Sequence, residues 1–361
     1  MTQESLITIG TRHQSHLERL KTSEAAKFDA FLKSMDADIR NVLTVGNISE
    51  LTRGRLNKLL VSIQRVMASN FSAYEKVYRD SVVSLADYEA KFEKRALETV
   101  VSGVTFDLPS ENQLMAAIMN YPVGAIGGTI AGKTLMDMYS GFTADQIAAI
   151  QAQVNIGYAE GQTTQQILQR IRGTRAAKWK DGALAVVKRN QETIVRTALQ
   201  LAANTARESV WEQNSSVISK VRISAVLDSR TSAICRSMDG REFAVGKGPR
   251  PPFHARCRTT TVAVLKSEYA GLSKGRTRAE RDPETGKIGY VSANQTYYGW
   301  LKDQPADVQD SIIGPSRGKL LRDGGLSADR FSELQLGKNF QPMTLDEMKK
   351  AEPAAFNRAG L

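Results

Sequence analysis

Between Gln14 and Val42, the apolar residues Leu17, Leu20, Phe28, Phe31, Leu32, Met35, Ile39 and Val42 fall largely at helical spacing, the pattern of a helix with one buried face. After a turn around Val45 to Ile48, Ser49 is placed to cap a second helix. Its stripe runs through Leu56, Leu59, Leu60, Ile63, Met67, Phe71, Tyr74, Tyr78, Val82, Leu85, Tyr88 and Phe92 without a proline. The second helix is predicted to reach about 45 to 50 residues, a length usual in coiled coils and extended bundle helices. Residues 1–102 therefore read as an extended helical hairpin. Such a hairpin is either a docking or spacing device or an antiparallel pair laid on the rest of the chain.

Farther along, residues 103–110 read as a linker, a short helix follows, and Pro122 to Gly128 is irregular. Short helices are predicted at Leu135 to Met138, Thr143 to Gly157, Thr163 to Arg172 and Asn190 to Trp211, the first two separated by Gly141. Thr143 with Gln146, and Thr163 with Gln166, have the spacing of capping boxes. After Ser216 the period shortens: Lys220 to Ser224 alternates as a half-buried strand does, and Thr259 to Leu265 is a second strand. The fold class is thus α+β and predominantly helical, a long N-terminal helical hairpin plus a C-terminal mixed module with a small β element and a loop-rich insert. Its expected divisions are a helical region over 103–215, a strand-loop-strand core in 216–350 and a tail at 351–361.

Composition narrows the partners. With 41% hydrophobic and 24% charged residues the chain can fold, and its net charge of +11 attracts polyanions. The segment Arg230 to Arg281 holds twelve lysines and arginines against four carboxylates, a density suited to non-specific contact with the backbone of double-stranded DNA. Only Phe243, Phe253 and Tyr269 are aromatic there, too few for a single-strand stacking platform; a solvated surface or an acidic protein partner is the other use of such a segment. Two cysteines are too few for a disulfide scaffold and fit assembly in a reducing cytoplasm. The N-terminus lacks the pattern of a signal peptide, and Leu114 to Leu135 is too interrupted by Asn120, Pro122, glycines and Lys133 to be read as a membrane span.

The insert between the strands carries the candidate chemistry. It contains Asp228, Arg230 and Thr231, then Cys235, Asp239 and Gly240, then Pro251-Pro252-Phe253-His254-Ala255-Arg256-Cys257-Arg258. A His-x-x-Cys pair is spaced to put imidazole and thiolate on one metal, with Cys235 closing on the same ion. Structural zinc takes four ligands, so Asp228, another carboxylate or a water is needed as the fourth. The alternative is a loop pinned by hydrogen bonds around two small buried thiols. Arg230, Arg236, Arg250, Arg256 and Arg258 are candidates for phosphate contact, and Asp228, Arg230, Thr231, Asp239, Gly240 and Pro252 for loop structure. An open zinc with bound water would begin a zinc-dependent hydrolase. Gly127 to Thr134 matches the phosphate-loop pattern GxxxxGKT, but the proline and glycines upstream argue against the buried strand such a loop requires, so an NTPase is not expected.

Taken in order, these segments resemble the phage Mu protein F-like family of head morphogenesis proteins. The resemblance rests on Leu227 to Thr231, Cys235, Asp239-Gly240 and Pro251 to Arg258. It continues through Tyr297 to Gln304, Ile313 to Arg317, Leu320 to Gly324 and Met343 to Glu347, with Gly132 to Leu135, Gly157, Gly161 and Ile171 to Gly173 upstream. The family often has Cys-x-x-Cys where this chain has Ser232-Ala-Ile-Cys235. The resemblance implies a minor head protein and not an enzyme. Such a protein is present inside the virion head, made in the host cytoplasm, and associated with the portal and other head or scaffolding proteins. It acts in head assembly and in DNA packaging, retention or ejection.

Overall fold

A computed structural model describes residues 5–46, 52–124, 130–270, 277–337 and 340–361. The chain opens with α1 (Leu6–Ala26), α2 (Phe28–Gly46) and α3 (Arg53–Val100). The one helix expected from Gln14 to Val42 is two, parted at Lys27, whose N–H reaches back to the Glu24 carbonyl at 3.2 Å and tightens the turn. Ser49 lies outside the described residues; α3 is capped by Thr52, whose hydroxyl accepts from the Arg55 amide. With 48 residues, α3 has the expected length. Near its end the buried stripe passes through Glu89 and Glu93 in place of Tyr88 and Phe92, because both carboxylates meet donors on a later helix.

After α4 (Glu111–Asn120), α5 (Leu135–Ala159) runs unbroken through Gly141, where two helices were expected. Its capping box is Thr134 with Asp137; Thr143 donates to the Ser140 carbonyl in mid-helix, and Gln146 is buried and accepts from Asn190. Tyr139 and Phe142 flank the glycine and are buried. Their burial outweighs the roughly 1 kcal/mol that glycine costs a helix interior. The Thr163 and Gln166 box heads α6 (Thr164–Arg172), as expected. Residues 125–129, and with them part of the GxxxxGKT match, lie outside the described residues. Among those described, no strand feeds the match, and its Thr134 serves as the cap of α5.

The organising element is α7 (Ala183–Gln213), with every residue from Thr197 to Trp211 buried. The other helices of this half pack around it, α3 along the greatest length. A polar residue buried in such a helix must find a partner. Arg207 Nε donates to Glu89 at 2.8 Å, Trp211 Nε1 to Glu93 at 2.8 Å, and Asn204 Nδ2 to the Pro251 carbonyl at 3.0 Å. His13 of α1 joins the same group, 2.7 Å from Glu89.

The sheet is antiparallel in the order β2-β1-β3, formed by β1 (Ile218–Ser224), β2 (Glu242–Ala244) and β3 (Thr260–Leu265). Val221 pairs with Ala263 and Lys220 with Ala244. The loop-rich insert between β1 and β3 holds β2 and also α8 (Ala233–Met238), neither of them read from the sequence. Val221 and Val262 join the helical core, whereas Ile223 and Ala225 belong to a smaller core with Ile234, Met238 and Phe253. Beyond α9 (Ser267–Ala270), a hairpin of β4 (Thr277–Arg281) and β5 (Ile288–Ser292) lies against α1, tied by the Thr8 hydroxyl to the Thr277 carbonyl.

Six short helices complete the chain: α10 (Tyr297–Lys302), α11 (Ala306–Ile313), α12 (Pro315–Asp323), α13 (Ala328–Leu334), α14 (Leu345–Ala351) and α15 (Pro353–Ala359). They enclose a third core around Tyr298, Trp300, Leu320, Phe331 and Phe356. The predominantly helical α+β class is borne out. No helix of the described residues is long and apolar enough to cross a membrane.

Candidate metal centre

Two short segments converge to build the site. Ser232 caps α8, accepting from the Cys235 amide at 3.4 Å, which puts Cys235 in the first turn of the helix and in the small core. The returning segment, with a cis Pro251–Pro252 peptide, buries Phe253 and Cys257 in the same core. Its backbone is anchored on α7. Arg256, in the left-handed region at φ 58°, donates its N–H to the Thr197 hydroxyl at 3.0 Å and its guanidinium to the Thr193 hydroxyl and the Arg189 carbonyl.

The donor atoms of Cys235, His254 and Cys257 all lie within 4.8 Å of one another. Cys235 Sγ is 3.2 Å from His254 Nε2 and 3.6 Å from Cys257 Sγ. The other ring nitrogen, Nδ1, is 2.7 Å from the Ala255 carbonyl, which assigns it the proton and turns the Nε2 lone pair toward the thiols. Burial opposes ionisation of both thiols, yet the Cys235 hydrogen bond and His254 bring Cys257 well below the ordinary thiol range. Burial and the neighbouring Cys257 push Cys235 well above it. Burial alone would lower His254, but Cys257 raises it. Two sulfurs and an imidazole nitrogen at these separations fit a zinc-type ion, so Cys235, His254 and Cys257 are the residues that would hold it.

Asp228 does not complete this set. Arg258 takes both of its carboxylate oxygens, at 2.6 and 2.8 Å, and Thr231 Oγ1 lies 3.0 Å from one of them. A carboxylate so engaged is a brace for the loop, because leaving the buried Asp228 charge unpaired is costly. Ser232 stands beside the three donors, its Oγ 2.9 Å from His254 Nε2. Reading by residue type passed over Ser232 as a ligand, since a hydroxyl is a poor one; its position three residues before Cys235 was the available signal.

The remaining loop residues are placed as follows. Thr231 donates to the Val226 carbonyl at 2.6 Å. Asp239 is buried, accepts from the Ala225 and Tyr297 amides, and pairs with buried Arg278 of β4 at 2.9 Å. Sequence reading counted Arg278 only as charge. Gly240 adopts φ +82°, where an added Cβ would stand 2.8 Å from Thr296 Cγ2. Pro252 is buried.

Of the arginines proposed for phosphate, Arg250 is 6% exposed and forks onto Glu208 at 3.0 Å through both Nε and Nη2, so it is not available. Arg236 donates to the Ile312 carbonyl and braces the C-terminal helices, and Arg258 is held by Asp228. Arg230 and Arg256 are exposed.

The architecture is that of a helical α+β protein whose small sheet carries a thiol and imidazole bracket able to bind a metal. Residues 148–262, from within α5 to within β3, match the family described as phage Mu protein F like protein. The matched segment is about a third of the chain and contains Cys235, His254 and Cys257; the similar motifs after Tyr297 lie beyond it. No curated protein and no solved structure matches the chain.

Proposed function

We propose that the chain is a minor head protein of a tailed bacteriophage. In this reading it works inside the head near the portal, in head assembly and in packaging, retention or ejection of DNA, with non-specific contact to that DNA. The observation that carries the reading is the family match over residues 148–262, which takes in the bracket and the helix that anchors it. Cys235, His254 and Cys257 would hold a structural zinc, whose contribution is to clamp α8 to the strand-entry segment. Burial of both thiols in an apolar cluster favours that role over the alternative of a zinc-dependent hydrolase, which needs an open coordination position facing water. The protein is accordingly read as a non-enzyme.

Co-expression with the phage portal protein tests the proposal. Retention of the full chain on tagged portal is expected. No retention of the full chain by portal or by assembled proheads would overturn the portal assignment.

A further inference from the structure

A cleft of about 650 Å³ opens between α1, the middle of α7, the loop after β1 and the β4–β5 hairpin, apart from the metal bracket. Arg19, Arg196, Arg230, Arg256 and Arg281 line it, one from α1, one from α7, two from loops and one from β4. The carboxylates of the same wall are already engaged. Glu18 meets Lys21 and Arg196, Glu192 meets Arg196, Asp228 meets Arg258, and Glu280 accepts from the Trp300 indole. Three of these arginines are less so: among the described residues Arg19 is exposed with no partner, the Arg230 side chain is 72% exposed and 3.6 Å from Asp228, and Arg281 reaches only the Gly286 carbonyl. At the cleft wall Gln14 is 3% exposed, and its Oε1 has no hydrogen-bond donor among the described residues.

We infer that this cleft binds a nucleoside phosphate. Guanidinium forks from separate elements match the oxygens of a phosphate ester. The unused Gln14 oxygen calls for an N–H or O–H donor, which a nucleobase or a sugar hydroxyl carries, and a cleft of about 650 Å³ has room for a nucleoside beside its phosphate. The volume is that of a small-ligand pocket, suited to a nucleotide or to the unpaired 5′ end of a strand, and not to a duplex. The site deepens the DNA-contact part of the proposed function and rests on that reading only for the source of the phosphate.

Titration calorimetry of the full chain with dAMP, with a 5′-phosphorylated five-nucleotide DNA strand and with a glutamate-rich peptide tests it. The Arg19→Glu/Arg230→Glu variant is expected to lose at least about tenfold in affinity for dAMP or the strand, the scale of two charge-assisted contacts. Lys58→Glu/Arg65→Glu, the same charge change on exposed positions of α3 outside the cleft, is expected to stay within about twofold, since distant charges are screened. Preference for the strand over dAMP assigns the DNA end as the source; equal binding assigns free nucleotide. Equal losses in the two variants, tighter binding of the peptide, or no binding of either nucleotide probe would overturn the inference. Duplex DNA binding that persists in the cleft variant would leave the DNA reading standing while the cleft assignment fails.

Discussion

Ser232 shows how one side chain sets what the bracket can hold. Its hydroxyl both caps α8 and stands 2.9 Å from His254 Nε2, at the corner where a fourth zinc ligand would serve. Replacing it with cysteine, Ser232→Cys, is expected to tighten zinc binding at least about tenfold, measured by competition with a chelator. Without metal the same change should cost about 1 kcal/mol, because a thiol is a poorer helix cap. Zinc affinity unchanged from the parent chain would show that position 232 is out of reach of the ion. At this scale the sequence was informative where chemistry is local: Cys235, His254 and Cys257 are rare residue types within 23 positions, and the fold does bring them together. Asp228 and Arg250 misled because residue type gives no hint of a partner far along the chain. Arg258 lies 30 residues from the first, and Glu208 lies 42 residues from the second.

Elements were legible where a single periodicity dominates. The stripe of α3 persists for 48 residues and could be followed by eye, and the alternation of Lys220 to Ser224 marked β1. The break at Lys27 and the continuity through Gly141 were not, since each is decided by what packs on the helix and not by the residue at the junction. If α5 is one helix, Gly141→Ala should stabilise the protein by about 0.5–1 kcal/mol, because the added methyl would meet only Lys133 Nζ at 3.9 Å. Urea denaturation checks this; a destabilised variant would mean that the backbone at Gly141 is not helical. The short strands β2, β4 and β5, of three to five residues, carry too few positions to show a period.

The group of His13, Glu89 and Arg207 joins three helices, and its titration reports on the whole fold. Burial holds His13 below its ordinary value of 6.5 despite the opposing pull of Glu89, with Arg207 and His16 adding to the lowering. Burial opposes the Glu89 charge, but Arg207 and His13 bring its carboxyl below the usual range. Both groups therefore bind fewer protons folded than unfolded, and stability that is full at neutral pH falls on acidification. The loss begins near pH 6.5 through His13 and continues through Glu89 below the carboxylate range. Melting temperature should decline from pH 7 to pH 5.5, and the decline should flatten in His13→Gln; an equal slope in the variant would remove His13 from the account. The cationic cleft, by contrast, was hidden from sequence reading, because Arg19 and Arg196 reach it from helices 177 positions apart.

The claim on which the functional reading depends is that the chain is a component of the phage head. Quantitative mass spectrometry of purified virions, with heads separated from tails, tests it most directly. A few copies per portal ring, recovered with the heads, are expected. Absence from the heads, with the protein found only in the lysate of infected cells, would contradict it.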